Sequence, residues 1–297
     1  MSEAPNFRAT ERIAVVTGGN RGIGLEICRQ LASKGVVVIL TARDENKGAE
    51  AIDTLMDSGL SNYYVNFHQL NITDPSSIAL FKDFVKARFG KLDILVFPLT
   101  ICGNDKNTVI NPRPELFQQE LEVATQNYDL AEECINTNYY GPKLMTQELL
   151  PLLQLSDSPR IVNVSSEIGM LESVRNEWAI GMLSDSANLT EDKVDDVLNN
   201  FLKDFKEGLL ETKNWPLIIS AYTLSKAATD AYTRKLAKKY PSFLVNRVCP
   251  GFVKTDMTCN QGTLSVEEGA ESPVWLALLP KGGQSGKCFT RKEVLPF

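Results

Sequence analysis

The stretch that decides the fold is Val15-Val16-Thr17-Gly18-Gly19-Asn20-Arg21-Gly22-Ile23-Gly24. Ile13-Ala14 precedes it, so a short apolar strand runs into a glycine-rich turn. Leu25-Glu26-Ile27-Cys28-Arg29-Gln30-Leu31 then opens a helical pattern. Glycines let the backbone take positive φ and lie close to a ligand, because no Cβ stands in the way. The helix that follows turns unpaired N–H groups and a partial positive charge toward the turn, where a pyrophosphate fits. Glycine spacing alone is weak evidence. Its place between a strand and a helix near the N-terminus is the context that makes it a dinucleotide fingerprint. A structural turn that holds no ligand is the competing reading.

Working outward, Gly35 stops the first helix, and Val36-Val37-Val38-Ile39-Leu40 reads as a strand buried on both faces of a parallel sheet. Folds that prefer NAD place a carboxylate at the end of this strand for the ribose 2′-OH. Here the strand ends in Thr41-Ala42 and then Arg43, with Lys47 one turn along and Arg21 in the glycine loop. Those cations predict a 2′-phosphate, hence NADPH/NADP+ as the coenzyme. Asp44 argues the other way unless it caps the next helix, and a solvated charged face is the alternative.

Further strands are expected at Tyr63–Leu70, Lys91–Val96, Arg160–Ser166 and Leu244–Cys249, with helices between them. Asp74-Pro75 is a helix start, a capping side chain followed by proline at the first helical position. A helical stretch from Tyr128 to Leu153 contains Asn138 and a Gly141-Pro142 pair that should bend it. Asn104 to Pro114 reads as a loop. Between Ser166 and Tyr222, Thr190 caps a helix with apolar residues at Val194, Val197, Leu198, Phe201, Leu202 and Phe205, ended by Gly208. This segment, about 170–218, is expected to form a lid over the substrate. The alternation predicts an α/β class, Rossmann-like doubly wound parallel sheet, one domain over 1–297 with a helical lid insertion before the Tyr222 helix.

Composition narrows the function. The 297 residues are 43% apolar and carry a net charge of −6. With no basic stripe, nucleic-acid binding is not expected. The N-terminal residues lack an apolar secretory core, and Val36 to Leu40 is far too short to cross a bilayer, so a cytoplasmic protein with no membrane partner is expected. Six cysteines, at 28, 102, 134, 249, 259 and 288, form no CxxC pair and read as reduced thiols. The single histidine, His68, lies in a strand-like run and reads as a packed structural residue; no metal site is expected.

Tyr222 and Lys226 are four apart and share a helix face. A phenol with an ordinary pKa near 10 is a poor acid-base group at neutral pH, and a nearby ammonium group favours its ionised form. Ser166, at a strand end, is placed to donate a hydrogen bond to a carbonyl oxygen. Alone, such a pair is no more than a surface helix pair.

In one order, the chain carries Thr17-Gly18-Gly19-Asn20-Arg21-Gly22-Ile23-Gly24, Asn138, Ser166, Tyr222-Thr223-Leu224-Ser225-Lys226 and Pro250-Gly251. Across nearly its whole length it resembles the short-chain dehydrogenase/reductase family. The resemblance implies that Tyr222 is the general acid and that Lys226 lowers its pKa and binds the nicotinamide ribose. It implies that Ser166 orients the carbonyl and Asn138 holds a water in the proton relay. The coenzyme would be held by Thr17, Gly18, Asn20, Arg21, Gly22, Ile23, Gly24, Arg43, Lys47, Asn71 and Ile72. Asn138, Tyr222, Lys226, Pro250, Gly251, Val253 and Thr255 would complete its site, Thr255 meeting the carboxamide.

Cys28-Arg29-Gln30-Leu31, Phe67-His68-Gln69-Leu70, Phe89 through Val96 and Leu152-Leu153-Gln154-Leu155-Ser156 resemble the plant branch with a long lid. That branch includes salutaridine reductase, menthone/neomenthol-type and isopiperitenone reductases. It implies a monomer of plant specialised metabolism that reduces the carbonyl of a bulky hydrophobic ketone, terpenoid or alkaloid in type. In the isopiperitenone type the tyrosine is replaced and an alkene is reduced; Tyr222 favours carbonyl reduction. Two positions depart from the family. Asn-Asn-Ala-Gly after the fourth strand is Phe97-Pro98-Leu99-Thr100 here, and the aspartate after the third strand is Asn71. The alternatives are a shifted loop that keeps the coenzyme, a binding or regulatory protein on the same fold, and alkene reduction or a non-redox isomerisation or cyclisation.

Overall fold

The computed structural model describes residues 11–98, 127–258 and 260–295. Leu99, Thr100, the Asn104–Pro114 segment, Cys102 and Cys259 lie outside the described residues.

The glycine stretch folds as its pattern requires. Strand β1 (Ile13–Val16) runs into the turn, and α1 (Gly22–Ser33) leaves it. Next come β2 (Val37–Ala42), α2 (Glu45–Asp57), β3 (Val65–Gln69), α3 (Pro75–Phe89) and β4 (Ile94–Phe97). Beyond the undescribed segment lie α4 (Tyr128–Ile135), a π-helical turn (Asn136–Tyr140), α5 (Gly141–Leu153) and β5 (Arg160–Val164). The insertion contributes α6 (Leu171–Val174), α7 (Glu177–Ser184) and α8 (Glu191–Lys206). Then follow α9 (Ser220–Lys239), β6 (Leu244–Cys249), α10 (Val266–Ala277), β7 (Cys288–Thr290) and β8 (Glu293–Leu295).

The sheet order is β3-β2-β1-β4-β5-β6-β7-β8. All neighbouring pairs are parallel except β7 with β8. The order reverses between β1 and β4, so the ends of those strands open a crevice of the kind in which doubly wound sheets bind ligands. Side chains alternate across each strand, and the two sets feed two separate cores. Ile13, Val15, Val37, Ile39 and Leu95 enter one, on the side of α3, α5 and α9. Ala14, Val16, Val38, Leu40, Ile94 and Val96 enter the other, on the side of α1 and α10. A fully buried Val, Leu or Ile contributes about 1.5–3 kcal/mol relative to exposure, so strands of only four residues are held by burial on both faces.

The helix signals read from sequence are the ones the structure uses. Asp74 accepts from the Ser76 N–H at 2.9 Å with Pro75 at the first helical position, and Thr190 accepts from the Lys193 N–H at 3.2 Å. Strands β7 and β8 have no counterpart in the sequence reading. Three residues each are too few to show a period; β7 is recruited by Asn246, whose side chain donates to the Gln284 carbonyl and accepts from the Lys287 N–H.

The segment between Ser166 and Tyr222 is pinned to the rest of the fold by polar contacts from α7 and α8. Asp195 of α8 accepts from the Tyr139 hydroxyl at 2.9 Å and from Lys143 Nζ at 2.6 Å. Arg234 of α9 donates to the Leu183 carbonyl at 2.6 Å. Within it, Trp215 packs edge-on to Phe201 and donates from Nε1 to Asp204. His68 packs between Phe81 and Phe84 of α3. Among the described residues, no helix is long and apolar enough to cross a membrane.

Candidate active site

At the crevice, the backbone of Thr17 donates to the Val96 carbonyl and that of Gly19 to the Thr41 carbonyl, which ties the glycine turn to β4 and β2. Gly18 sits at φ +57°, the left-handed region that favours glycine. Gly24 is a matter of space: a Cβ there would lie 2.5 Å from the Gly18 carbonyl oxygen. The turn is thus folded tightly onto the start of α1. Arg21 occupies the N-cap of α1 in extended backbone, and no side chain caps that end. The N–H groups of the first turn are therefore left to an incoming anion. Asn20 and Ile23 flank it, half-buried. A Cβ on Gly22 would meet Thr255 at 3.4 Å, so the loop after β6 closes the far side of this cradle. That loop comprises Pro250, Gly251, the buried Val253 and Thr255, and its Asp256 pairs with Arg21 at 3.7 Å. The cradle fits a pyrophosphate.

On the other side of β1, Arg43 and Ile72 line a cavity of about 410 Å³ with Thr73, Tyr140 and the carboxylates Asp129, Glu132 and Glu133. Arg43 pairs with Glu133 at 3.7 Å. Both this pair and that of Arg21 are exposed, and such pairs are worth little, so either arginine is free to exchange its partner for a phosphate. Asp44 is occupied as a helix cap, accepting from the Lys47 N–H at 3.0 Å, which removes it as a rival for the ribose. Lys47 itself is exposed on α2. Asn71 accepts from the backbone and hydroxyl of Thr73, at 3.2 and 2.9 Å, and so holds the turn after β3. Ile72 packs on Gly141 at the start of α5. The acidic lining from α4 was not legible in the sequence, because nothing local says that α4 faces the end of β2.

The reacting groups gather at the end of β5. Ser165 keeps the ladder going by donating to the Val248 carbonyl, and Ser166 then caps a single 3₁₀ turn, Glu167–Gly169. This turn lies against α9 because residue 169 is glycine: a Cβ there would stand 2.6 Å from the Lys226 Cβ. The close approach brings the Ser166 hydroxyl into a hydrogen bond with the Tyr222 phenol. Lys226 is buried one turn along, its Nζ 5.5 Å from the centre of the Tyr222 ring.

Tyr222 is half-buried by exposed surface, yet the protein packs closely enough around the phenol that burial pushes its pKa above the ordinary tyrosine value. The Ser166 hydrogen bond pulls it back only in part. Desolvation thus dominates in the protein as it stands, and the phenol is held protonated.

Asn138 sits in the π-helical turn, where the widened coil sets it against α9. Its side-chain nitrogen donates to the Ser225 hydroxyl at 3.1 Å and contacts the Cys134 sulfur at 3.4 Å. Its carbonyl accepts from the Thr229 hydroxyl at 3.1 Å. Ser225 in turn donates to the Tyr222 carbonyl at 2.8 Å. Ser225 and Thr229 were missed at the level of sequence; their signal is a polar residue at i+3 and i+7 from Tyr222, on a buried helix face that also carries Lys226, Asp230 and Thr233.

The model for short chain dehydrogenases matches residues 12–177. The chain belongs to the short-chain dehydrogenase family. It is an oxidoreductase of carbonyl and alcohol carbon that uses NADPH/NADP+. Among curated short-chain dehydrogenases it is 56% identical over 293 residues to (+)-neomenthol dehydrogenase of Arabidopsis thaliana, covering 97% of this chain and 99% of that one. It is 48% identical over 307 residues to (-)-isopiperitenone reductase of Mentha piperita, covering 96% and 98%. Among solved structures, salutaridine reductase from Papaver somniferum superposes with a TM-score of 0.87 at 48% identity, over 94% of this chain and 99% of that one. These relatives place the short-chain dehydrogenase in the plant branch.

Proposed function

We propose that the protein reduces the carbonyl of a bulky hydrophobic ketone, terpenoid or alkaloid in type, with Tyr222 as the acid. The observation that carries this reading is the placement of the Tyr222 phenol, hydrogen-bonded to Ser166 at the end of β5 and backed by a buried lysine one turn along. The carbonyl carbon would take up a hydride, the chemistry that NADPH would supply when bound. Tyr222 gives its proton to the carbonyl oxygen, so the product is the alcohol. The Ser166 hydroxyl donates to the same oxygen and fixes its direction. Lys226 stabilises the phenolate left behind by its charge. Asn138 and Thr229 hold the polar end of the route by which the phenol regains a proton. Positioned proton transfer of this kind is worth about 10²–10⁴-fold in rate.

The coenzyme assignments follow the same reading. Thr17, Gly18, Asn20, Arg21, Gly22, Ile23 and Gly24 hold the pyrophosphate side, and Arg43 with Lys47 the 2′-phosphate. Asn71 and Ile72 border the adenine, and Pro250, Gly251, Val253 and Thr255 the nicotinamide. The insertion acts as the lid. Trp178 on α7, Leu217 ahead of α9 and Phe252 after β6 are large apolar side chains left 47%, 47% and 40% exposed, which suits an apolar substrate. We read the enzyme as a cytoplasmic monomer. The experiment is oxidation of NADPH against a panel of bulky cyclic ketones and small polar ones, with coenzyme binding followed by fluorescence. Turnover confined to the bulky ketones is expected. Coenzyme bound without turnover on any ketone would move the protein to the repurposed class that Pro98 raises, since a proline there offers no N–H to a ribose.

A further inference from the structure

Beneath the Tyr222–Ser166 contact lies a buried charge pair that the mechanism above does not use. Asp230 follows Tyr222 and Lys226 by two and one helical turns, so all three share one face of α9. Its Oδ2 is 3.0 Å from Nε of Arg247 on β6, with side chains 6% and 1% exposed. Its Oδ1 accepts from the Ser165 hydroxyl at 2.9 Å. Arg247 reaches past it and donates from Nη1 to the Ser166 carbonyl at 3.1 Å. The pair therefore grips the two residues that follow β5, one by its side chain and the other by its backbone. The next residue is tied down as well, Glu167 accepting from the Thr290 hydroxyl at 2.8 Å.

Stability does not account for such a pair. Taking two charges out of water costs several kcal/mol per ion, and apolar side chains of the same volume usually do as well or better. What apolar residues would not do is fix the direction of a serine at a strand end. We propose that Asp230 and Arg247 are positioning residues that hold Ser166 at the reach of Tyr222 and of a substrate carbonyl. This rests on the reading of Ser166 given above.

The pair also carries a titration. Burial pushes the Asp230 carboxyl up to about 6, against the pull of Arg247, Ser165, Arg234 and Lys226. Among the described residues, Tyr222 on the same helix and Cys288 on β7 also face it, and burial holds both in their neutral forms. As pH falls through 6 the carboxylate takes a proton, Arg247 loses its counter-charge, and the grip on Ser166 slackens.

The test uses Asp230→Asn, Ser166→Ala and the double variant, each checked for folding by thermal melt and for coenzyme affinity by fluorescence. Asp230→Asn is expected to lower kcat about tenfold at neutral pH, short of the hundredfold that a full ångström of misplacement costs. KM and coenzyme affinity stay near wild type. Its kcat is expected to lose the acid limb near pH 6 that the wild type shows. In the Ser166→Ala background the same change is expected to cost nothing further, because residues that act through one another are not additive. Wild-type kcat and pH profile in Asp230→Asn, or losses that multiply in the double variant, would overturn the proposal. A readout without turnover separates this from failure of the ketone assignment. Loosening Ser166 removes a hydrogen bond from the phenol, and the tyrosine ultraviolet spectrum of the coenzyme-free protein shifts, except in a Tyr222→Phe background. An unchanged spectrum overturns the positioning role whether or not a ketone is ever turned over.

Discussion

Gly169→Ala is the sharpest perturbation of the reacting geometry, because it replaces none of the side chains that do chemistry and acts only by pushing the 3₁₀ turn off α9. The added Cβ would stand 2.6 Å from the Lys226 Cβ, 2.9 Å from the Lys226 carbonyl carbon and 3.2 Å from the Ala227 nitrogen. Carbon atoms rest at about 3.5–4.0 Å, so the 3₁₀ turn must back away from α9 by about 1 Å. Backbone lies on both sides of the contact, and no flexible side-chain end is there to yield. Overpacking of this kind costs about 1–3 kcal/mol of stability. The functional cost is larger. Ser166 opens the same turn, so it is carried away from Tyr222, and a 1 Å misplacement is worth about 10²-fold in rate. The assay is steady-state ketone reduction with coenzyme affinity measured in parallel. The expected result is a kcat near one-hundredth of wild type with coenzyme affinity unchanged, since the glycine cradle stands on β1 and not on β5. Gly24→Ala gives the contrasting pattern. Its Cβ meets the Gly18 carbonyl at 2.5 Å, so the coenzyme cradle is what gives way. A Gly169→Ala enzyme with wild-type kcat, or one whose loss lies wholly in coenzyme affinity, would refute the reasoning.

Three further outcomes are expected. Burial holds the Tyr222 phenol above its ordinary value of 10.0, so the coenzyme-free protein should show no phenolate from this residue until above pH 10; an ultraviolet difference titration against Tyr222→Phe checks it, and a transition below pH 9 contradicts it. Glu133→Gln should tighten NADPH binding about two- to fivefold, the worth of the exposed pair it releases, and leave NADH binding unchanged. Ile219 enters α9 at φ +43° and ψ +37°, a left-handed conformation that a β-branched residue resists at a cost of about 1–3 kcal/mol. Ile219→Asn should therefore raise the urea midpoint, the unfolding free energy gaining about 1 kcal/mol after the loss of a half-buried apolar side chain; a lowered midpoint would show that no strain is stored there.

Much of this architecture is legible in local chemistry. The glycine turn, the Asp74-Pro75 and Thr190 helix starts and the continuous apolar strands each carry a signal within a few residues. The order of those signals is enough to set a doubly wound sheet. What the sequence does not carry is long-range. Arg247 is a charge inside an apolar strand, and only the fold reveals that Asp230 faces it. The bend foreseen at Gly141-Pro142 is a π-helical turn over Asn136–Tyr140, and a one-residue change of period leaves no pattern to read. Asp44 was ambiguous because a helix cap and a ribose ligand call for the same residue at the same place. The Tyr222–Lys226 spacing was plain, but not the burial that decides which way the phenol shifts.

The central claim is that the Tyr222 phenol delivers the proton, its share in holding the coenzyme being small beside that of the glycine cradle. Tyr222→Phe tests it most directly, in single-turnover reduction of the best ketone with NADPH affinity measured on the same sample. The account predicts a rate lower by about 10²–10⁴-fold with affinity unchanged. A rate within a factor of a few of wild type would contradict it.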